Sequence, residues 1–519
     1  MRARRKVATG FAILTIALPS PAYASAANAD IGDIPEGTSA RKVMLIDIDG
    51  VRWDKLKQVD TPNIDALASA GQIGPSYIHG TDVARTDSGP GHSNILTGTW
   101  PDKHRVKDNS FSGNNLDSYP DVLSRLETAK PELSTFSILD WQPINENIIG
   151  SPDAKMRQST EGGARASDRR STDTVVEALS RHNPDVGYVY FHEPDEMGHD
   201  VGSSSPEYLS AIEHVDAQIG RIVDAVKARD SYPEEDWLFL ATTDHGFSYD
   251  EHGTNRHRTR EVWTLAAGGD IPVTRTATRQ WRQVDIPPTV FKHLGITPNP
   301  SWGWDGVPIG TASRDPFDTL KSSLRKAVDE PAKPDNLLGF TKYMPSGWSV
   351  EEKTPAVGVT EYRGWSLMTG QFWATSQSDQ GRESFFRGRD VIAVADADEW
   401  NDKGDPVSDG KRLDSTLLSP WQNVQPGMSI KVSYLSHYRQ VDRDADPQKA
   451  QLVLRFDDGT KSVLWSRKSS SGDAFDISKS ESFSARIPAG VEKVRVGWRM
   501  YDAANNFYWA FDDPRITVA

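Results

Sequence analysis

The chain has 519 residues, no cysteine, 59 basic against 73 acidic side chains and a formal charge of −14. That length asks for more than one core, and the absence of cysteine excludes a disulfide framework, thiolate metal sites and a cysteine nucleophile. The acidic balance argues against a nucleic-acid scaffold, which needs a basic face, while 37% hydrophobic residues with 16 Trp, 14 Tyr and 17 Phe exclude global disorder.

Arg2, Arg4, Arg5 and Lys6 precede an apolar run from Val7 to Leu18, and Ala22-Tyr23-Ala24 or Ala24-Ser25-Ala26 then offers small residues for cleavage. This is the pattern of an export signal over residues 1–26 and predicts a secreted protein. The run is too short for a stable anchor, and no other stretch approaches the ~18 apolar residues of a membrane span.

Residues 38–313 alternate between strand-like and helical runs. Val43–Ile46, Thr135–Leu139, Val186–Phe191 and Trp237–Ala241 are short apolar runs, as expected of parallel strands buried on both faces. Between the last two, Tyr208, Ile212, Val215, Ile219, Ile222 and Val226 recur at spacings of three and four, which predicts a helix from Pro206 to Val226 capped by Ser205. The fold class is α/β, a sheet covered by helices on both faces, with its site at the carboxyl ends of the strands. Residues 314–334 read as a linker carrying one charged helix. From 335 to 519 the period changes to two, most clearly where Val494, Val496, Trp498 and Met500 alternate with Lys493, Arg495, Gly497 and Arg499. Ile430–Tyr434 and Leu452–Phe456 are further strands, so this half is expected to be an all-β, jelly-roll-like sandwich.

The chemistry gathers where the strands of the first half end. Asp49 closes the first strand, Asp195 and His199 follow the third, and Asp244-His245 follows the fourth, with His252 close behind. Carboxylate and imidazole together suit zinc or a similar divalent ion. The run Thr86 to Gly98 reads as a loop entering a helix, where a hydroxyl such as Ser88 meets the electropositive helix start. Asp47 is read as structural.

The order Asp49-Gly50, Ser88-x-x-x-His92, Thr97-Gly98-x-x-Pro101, Pro194-Asp195-x-x-Gly198-His199 and Asp244-His245-Gly246 resembles the alkaline phosphatase superfamily. Within it, the type I phosphodiesterase/nucleotide pyrophosphatase branch is the nearest likeness. Further carriers of the resemblance are Thr61–Leu67, Trp100–His104, Val284–Thr289 and Leu294–Ile296. The resemblance implies an enzyme with two divalent ions, most naturally Zn²⁺. Asp49, Asp244 and His245 would hold one ion, which also touches Ser88. Asp195, His199 and a third histidine would hold the other; His252 fits that place, with His257 as the alternative. Ser88 would be the nucleophile and Asn109 a donor to a non-bridging phosphoryl oxygen. His92 and His104 would pack around the site. The implied reaction is in-line displacement of a small phosphate ester, diester or monoester, through a covalent phosphoserine that water then releases.

The chain also departs from this pattern. Nucleotide-cleaving relatives carry an asparagine where this chain has Gly91. Arg165, Arg169 and Arg170 lie where a basic pair for a doubly charged phosphate could sit, but they read as solvated. Ser88-Gly89-Pro90 begins like a sulfatase signature, although His92 stands where that signature has arginine. A sulfatase-like or phosphonate hydrolase of the same superfamily and a non-catalytic surface-binding protein are the competing readings. The second half resembles β-sandwich modules appended to secreted hydrolases, on Val391–Trp400 and Asn505–Asp513. Exposed aromatics there would suit a carbohydrate or surface ligand, and Asp396, Asp398, Glu399 and Asp402 offer hard oxygen ligands for Ca²⁺.

Overall fold

The computed structural model describes residues 30–330 and 338–519. The export segment expected at 1–26 and the Pro331–Pro334 end of the expected linker lie outside the described residues. An eight-stranded sheet organises the first half: β1 (Arg41–Ile48), β2 (Gly71–Tyr77), β3 (Thr135–Leu139), β4 (Ala154–Arg157), β5 (Val186–Phe191), β6 (Asp236–Thr243), β7 (Glu261–Gly268) and β8 (Arg275–Thr276), in the order β4-β3-β5-β1-β6-β7-β2-β8. β1 lies in the middle, parallel to β5 and β6, and Val43–Ile46 are at most 1% exposed. Burial on both faces is why that stretch is continuously apolar.

The sheet is mixed, because β7 runs antiparallel to both β6 and β2. An antiparallel return needs no crossover helix, so the short segment joining β6 to β7 stays at the edge where β6 ends. One layer includes α2 (Ala164–Arg181) and α4 (Pro206–Lys227); the other includes α1 (Ser88–Thr97) and α5 (Ile286–His293). α4 follows its sequence pattern: Ser205 Oγ accepts from the Tyr208 N–H at 3.1 Å, and Tyr208, Ile212, Val215, Ile219, Ile222 and Val226 are buried. Among the described residues no helix is long and apolar enough to cross a membrane.

The second half packs two six-stranded antiparallel sheets face to face. One contains β10 (Ser349–Glu352), β13 (Leu413–Leu418), β14 (Gln422–Asn423), β16 (Lys449–Phe456), β17 (Lys461–Lys468) and β19 (Lys493–Ala503). The other contains β9 (Phe340–Thr341), β11 (Ser366–Thr369), β12 (Val391–Asp396), β15 (Ser429–Gln440), β18 (Ala474–Arg486) and β20 (Tyr508–Val518). Trp498 of β19 stacks on Phe511 of β20 at 4.6 Å, joining the sheets through the core. Of the eight Trp beyond residue 340, Trp421 alone is largely exposed at 42%, and Arg495 covers its ring at 4.5 Å. The aromatic wealth of this half is core packing. Instead of a charged α-helix, the segment after residue 313 forms a 3₁₀ turn over Phe317–Ser323. Phe317 is fully buried against Trp348 and Phe511, which draws the turn into the sandwich.

The acidic group expected to suit Ca²⁺ has a cation from the chain itself. The buried Arg382 guanidinium lies 3.1 Å from Asp396, 3.5 Å from Asp398 and 2.6 Å from Glu399. Asp396 also caps the helix Ala397–Asn401 and accepts from the Trp373 indole at 2.8 Å. A second cation would have to displace a guanidinium held by three carboxylates. Replacing it as Arg382→Met strands those carboxylates, and the expected loss is about 3–5 kcal/mol in chemical denaturation. Added calcium is expected to leave the wild-type transition in place.

Candidate active site

Three strand ends and one helix start converge at this site. In-register pairing sets Ile48 beside Phe191 of β5 and Thr243 of β6, so Asp49, His192–Asp195 and Asp244-His245 leave the sheet at one edge. Along β1, Met44, Ile46 and Ile48 face the α2/α4 layer, while Val43 and Leu45 face α1 and α5. The period of two therefore turns both Asp47 and Asp49 toward α1. There they meet His92, one turn along the helix from Ser88. His92 Nδ1 lies 2.8 Å from Asp47 Oδ2, and its Nε2 lies 3.2 Å from Asp49 Oδ2 and 3.4 Å from Asp244 Oδ2. Tyr188 and Tyr190, alternate residues of β5, donate their hydroxyls to Asp47 at 3.0 Å and Asp49 at 2.6 Å.

Gly91 is the position that lets α1 come this close. A Cβ there would lie 2.7 Å from both Asp244 Cβ and the Asp244 carbonyl oxygen. The asparagine of nucleotide-cleaving relatives does not fit without moving the helix or the strand end.

Ser88 is the first residue of α1 and is 4% exposed, with Oγ 3.3 Å from His245 Nε2. His245 Nδ1 lies 3.2 Å from the Gly246 carbonyl, which leaves Nε2 facing the carboxylates. That nitrogen is 3.2 Å from Asp244 Oδ2, 3.4 Å from Asp49 Oδ1 and 3.9 Å from Asp195 Oδ1. His252 stacks on His245 at 3.9 Å between ring centroids, with Nε2 3.9 Å from Asp195 Oδ1. Its Nδ1 is held 3.2 Å from Asp87 Oδ1, and Arg85 holds the other Asp87 oxygen at 2.7 Å. This outer pair orients the ring. Asn109 accepts from the Gly89 N–H at 2.7 Å through Oδ1, which leaves its amide hydrogens for a partner beside Ser88.

His199, one turn after Asp195 on α3 (Glu193–Val201), is more exposed, with Nε2 3.7 Å from Asp195 Oδ2 and its ring 4.8 Å from that of His252. His257 is elsewhere, packed on Tyr77 at 5.0 Å. The ligand atoms gather as Asp49, His92 and Asp244, and as Asp195, His245 and His252. His245 thus stands between the two groups, and His92, expected only to pack, reaches the first directly. Its spacing of four from Ser88 is the sequence signal for this, since that spacing shares one helix face. A third group, Asp168, Glu193 and His214, is satisfied internally. Arg165 donates to Glu193 at 2.6 Å, His214 meets its other oxygen at 2.5 Å, and Asp168 accepts the His192 and Glu193 N–H groups.

Buried atoms without partners show what the main cluster suits. Asp49 Oδ1, Asp244 Oδ2 and Asp195 Oδ1 have no hydrogen-bond partner among the described residues, yet they surround one imidazole nitrogen. Stranded buried carboxylate oxygens are costly unless a cation joins them, and hard oxygens with imidazole nitrogens fit a zinc-type divalent ion. The titration of the ion-free molecule reflects the same crowding. Burial and then the Asp49 charge push the Asp195 carboxyl up to about 8 and Asp244 well above the carboxylate range. Burial works to raise Asp49 too, but the hydrogen bond and charge of His92 hold it far down. Burial would lower His92, yet Asp47 and Asp244 keep it well above its usual value. Burial and the neighbouring His252 keep His245 well below. Substituting Gly91→Ala is expected to shift Asp244 and weaken divalent-ion binding by about 10–100-fold in a metal titration.

Comparison with known proteins supplies the family. The model of the type I phosphodiesterase / nucleotide pyrophosphatase family matches residues 43–383. Human ectonucleotide pyrophosphatase/phosphodiesterase family member 7 is 28% identical over 237 residues, covering 40% of this chain and 48% of that protein. The Bos taurus bis(5'-adenosyl)-triphosphatase ENPP4 is 25% identical over 223 residues, with coverages of 40% and 48%. The chain thus spans about half the length of the curated relatives it matches. The solved structure of human ectonucleotide pyrophosphatase / phosphodiesterase 5 aligns at 16% identity with a TM-score of 0.40, covering 52% of this chain and 97% of that one. On the match over most of its length, the chain belongs to the type I phosphodiesterase / nucleotide pyrophosphatase family.

Proposed function

We propose that this chain is a secreted, two-metal phosphoesterase that transfers the phosphoryl group of a small phosphodiester to Ser88 and then to water. One observation carries the reading: the buried Ser88 hydroxyl begins a helix 3.3 Å from His245 Nε2, around which three unpartnered carboxylate oxygens converge. Asp49, Asp244 and His245, with Asp195, His199 and His252, would hold two zinc-type ions, which when bound would supply Lewis acidity to the phosphoryl oxygens and the Ser88 hydroxyl.

The chain's own residues do the rest. Ser88 Oγ gives up its proton and attacks phosphorus as the ester bond opposite it breaks, and the leaving oxygen takes up one proton in exchange, departing as the alcohol. Water then attacks the phosphoserine, breaking the Oγ–P bond and releasing the phosphate product. The start of α1 favours negative charge on the phosphoryl group, and the free amide hydrogens of Asn109 are placed to donate to a non-bridging oxygen. Arg165 is committed to Glu193, and Arg170 to the Ser159 and Glu161 carbonyls. With these two engaged elsewhere and Arg169 alone left of that stretch, a singly charged diester suits the site better than a monoester. Secretion rests on the composition of residues 1–26.

A bis-aryl phosphate, an aryl phosphate and an aryl sulfate, assayed before and after chelation, test the proposal. The diester is expected to be cleaved fastest, chelation to abolish turnover, and Ser88→Ala to lower kcat by about 10³-fold or more. Activity surviving both chelation and Ser88→Ala overturns the mechanism; a preference for the sulfate overturns only the substrate class. Because Asp195 titrates at about 8 in the ion-free protein, ion uptake must displace its proton. Ion affinity is therefore expected to rise with pH as the Asp195 and Asp244 carboxyls lose their protons, with proton release visible by calorimetry.

A further inference from the structure

Gln283 is fully buried and lies far along the chain from the strand ends that carry the site. Its amide nitrogen donates to the Thr243 carbonyl at 2.8 Å and the Asp244 carbonyl at 2.7 Å, where β6 has run past Thr242, its last residue paired with β7. Its amide oxygen accepts from Asn94 of α1 at 2.9 Å. Asn94 in turn accepts from His104 Nε2 at 3.0 Å, and His104 Nδ1 accepts from the Val106 N–H at 3.1 Å. One side chain therefore ties the backbone of Asp244 to the helix that begins with Ser88. Glutamate there could not donate to two carbonyls, and leucine would strand both.

The turn carrying Gln283 is gripped from the other half of the molecule. Asp285, also fully buried, receives Arg389 as a two-pronged fork, at 2.7 Å to each carboxylate oxygen. Its oxygens also accept the N–H groups of Arg282 and Val307, each at 2.8 Å. Arg389 is held to β20 through its own N–H, which donates to Asp512 at 2.8 Å. Arg282 reaches back to the Phe386 and Gly388 carbonyls, and Phe386 packs on Trp100 at 5.4 Å.

We propose that the C-terminal half is part of the active-site framework rather than an appendage: Arg389, by clamping Asp285, holds Gln283 where it fixes Asp244 against the nucleophile helix. Arg389 and Gln283 are positioning residues, and only the catalytic consequence rests on the phosphoesterase reading. A ligand strand end and a helix in contact at Gly91 tolerate little displacement, because misplacement by about 1 Å can cost about 100-fold in rate.

Arg389→Ala and Gln283→Leu, singly and together in the full chain, test the proposal. Hydrogen–deuterium exchange of the ion-free protein reads positioning without any activity. Each single variant is expected to raise exchange over residues 88–97 and 243–247 by about tenfold or more, and the double variant no further than the larger single. Lys321→Ala cuts a different contact at the same junction, 2.5 Å to Asp390, and is expected to leave those segments unchanged. In turnover of the diester, both single variants are expected to lower kcat by about 10–100-fold with KM within about twofold, and the losses are not expected to multiply. If Arg389→Ala does not fold, Arg389→Lys, which loses the fork but keeps the charge, is expected to show a smaller rise in exchange over the same segments. Increased exchange confined to residues 280–310 and the sandwich, or losses that multiply, overturns the proposal. A wild-type protein that hydrolyses no ester overturns the phosphoesterase reading, while the exchange result still decides the positioning.

Discussion

Negative charge buried at one edge of a sheet is the constraint on which the rest of this structure depends. Asp47, Asp49, Asp195 and Asp244 are all buried within reach of one another's histidines. Burying even one ionised carboxylate requires a cation or several donors, so the surrounding residues are largely set by that need. His92 spans Asp47 and Asp49, two tyrosine hydroxyls arrive from β5, and His245 stands among three oxygens that accept no hydrogen bond among the described residues. The bare cluster also suits an ion: what raises Asp195 and Asp244 is burial and then the Asp49 charge, and a divalent cation would offset that charge.

The same physics recurs in the second half with arginine in the cation's place. Arg382 sits among Asp396, Asp398 and Glu399, and Arg389 forks onto Asp285 across the junction. A planar guanidinium with two parallel donors suits this better than an ammonium, because it fixes direction as well as charge. Without cysteine, the halves are joined by the buried Arg389–Asp285 pair, while Phe317 inserted in the sandwich and the Trp498–Phe511 stack hold the second half itself together. The acidic net charge does not conflict with the anionic substrate proposed, since the charge that matters is local.

Elements governed by local chemistry were legible from the sequence. The strand of Val43–Ile46, the α4 stripe with its Ser205 cap and the alternation along β19 stand as the periodicities require, because burial face and capping are set within a few residues. The collection of Asp and His residues at strand ends was equally legible. Features that depend on a distant partner were not. An acidic run at 396–402 looks the same in sequence whether calcium or Arg382 lies against its carboxylates. His92 read as packing because nothing local says that its helix lies against the face that Asp47 and Asp49 share. Gln283 carried no signal at all, since its partners lie about forty and nearly two hundred residues away.

By itself the sequence determined the kinds of groups available: a serine at a helix start, carboxylates and imidazoles after strands, and no thiol to compete for metal. It also determined the alternation that builds each sheet. The tertiary structure decided which carboxylates meet which cations, because pairing of charges depends on distance in space and on exclusion of water, neither of which is a property of neighbouring residues. It decided too that Gly91 must be small, since the atom that would clash belongs to Asp244 on another element. And it decided that the second half reaches the site, through a guanidinium and a carboxylate that only folding brings within 2.7 Å.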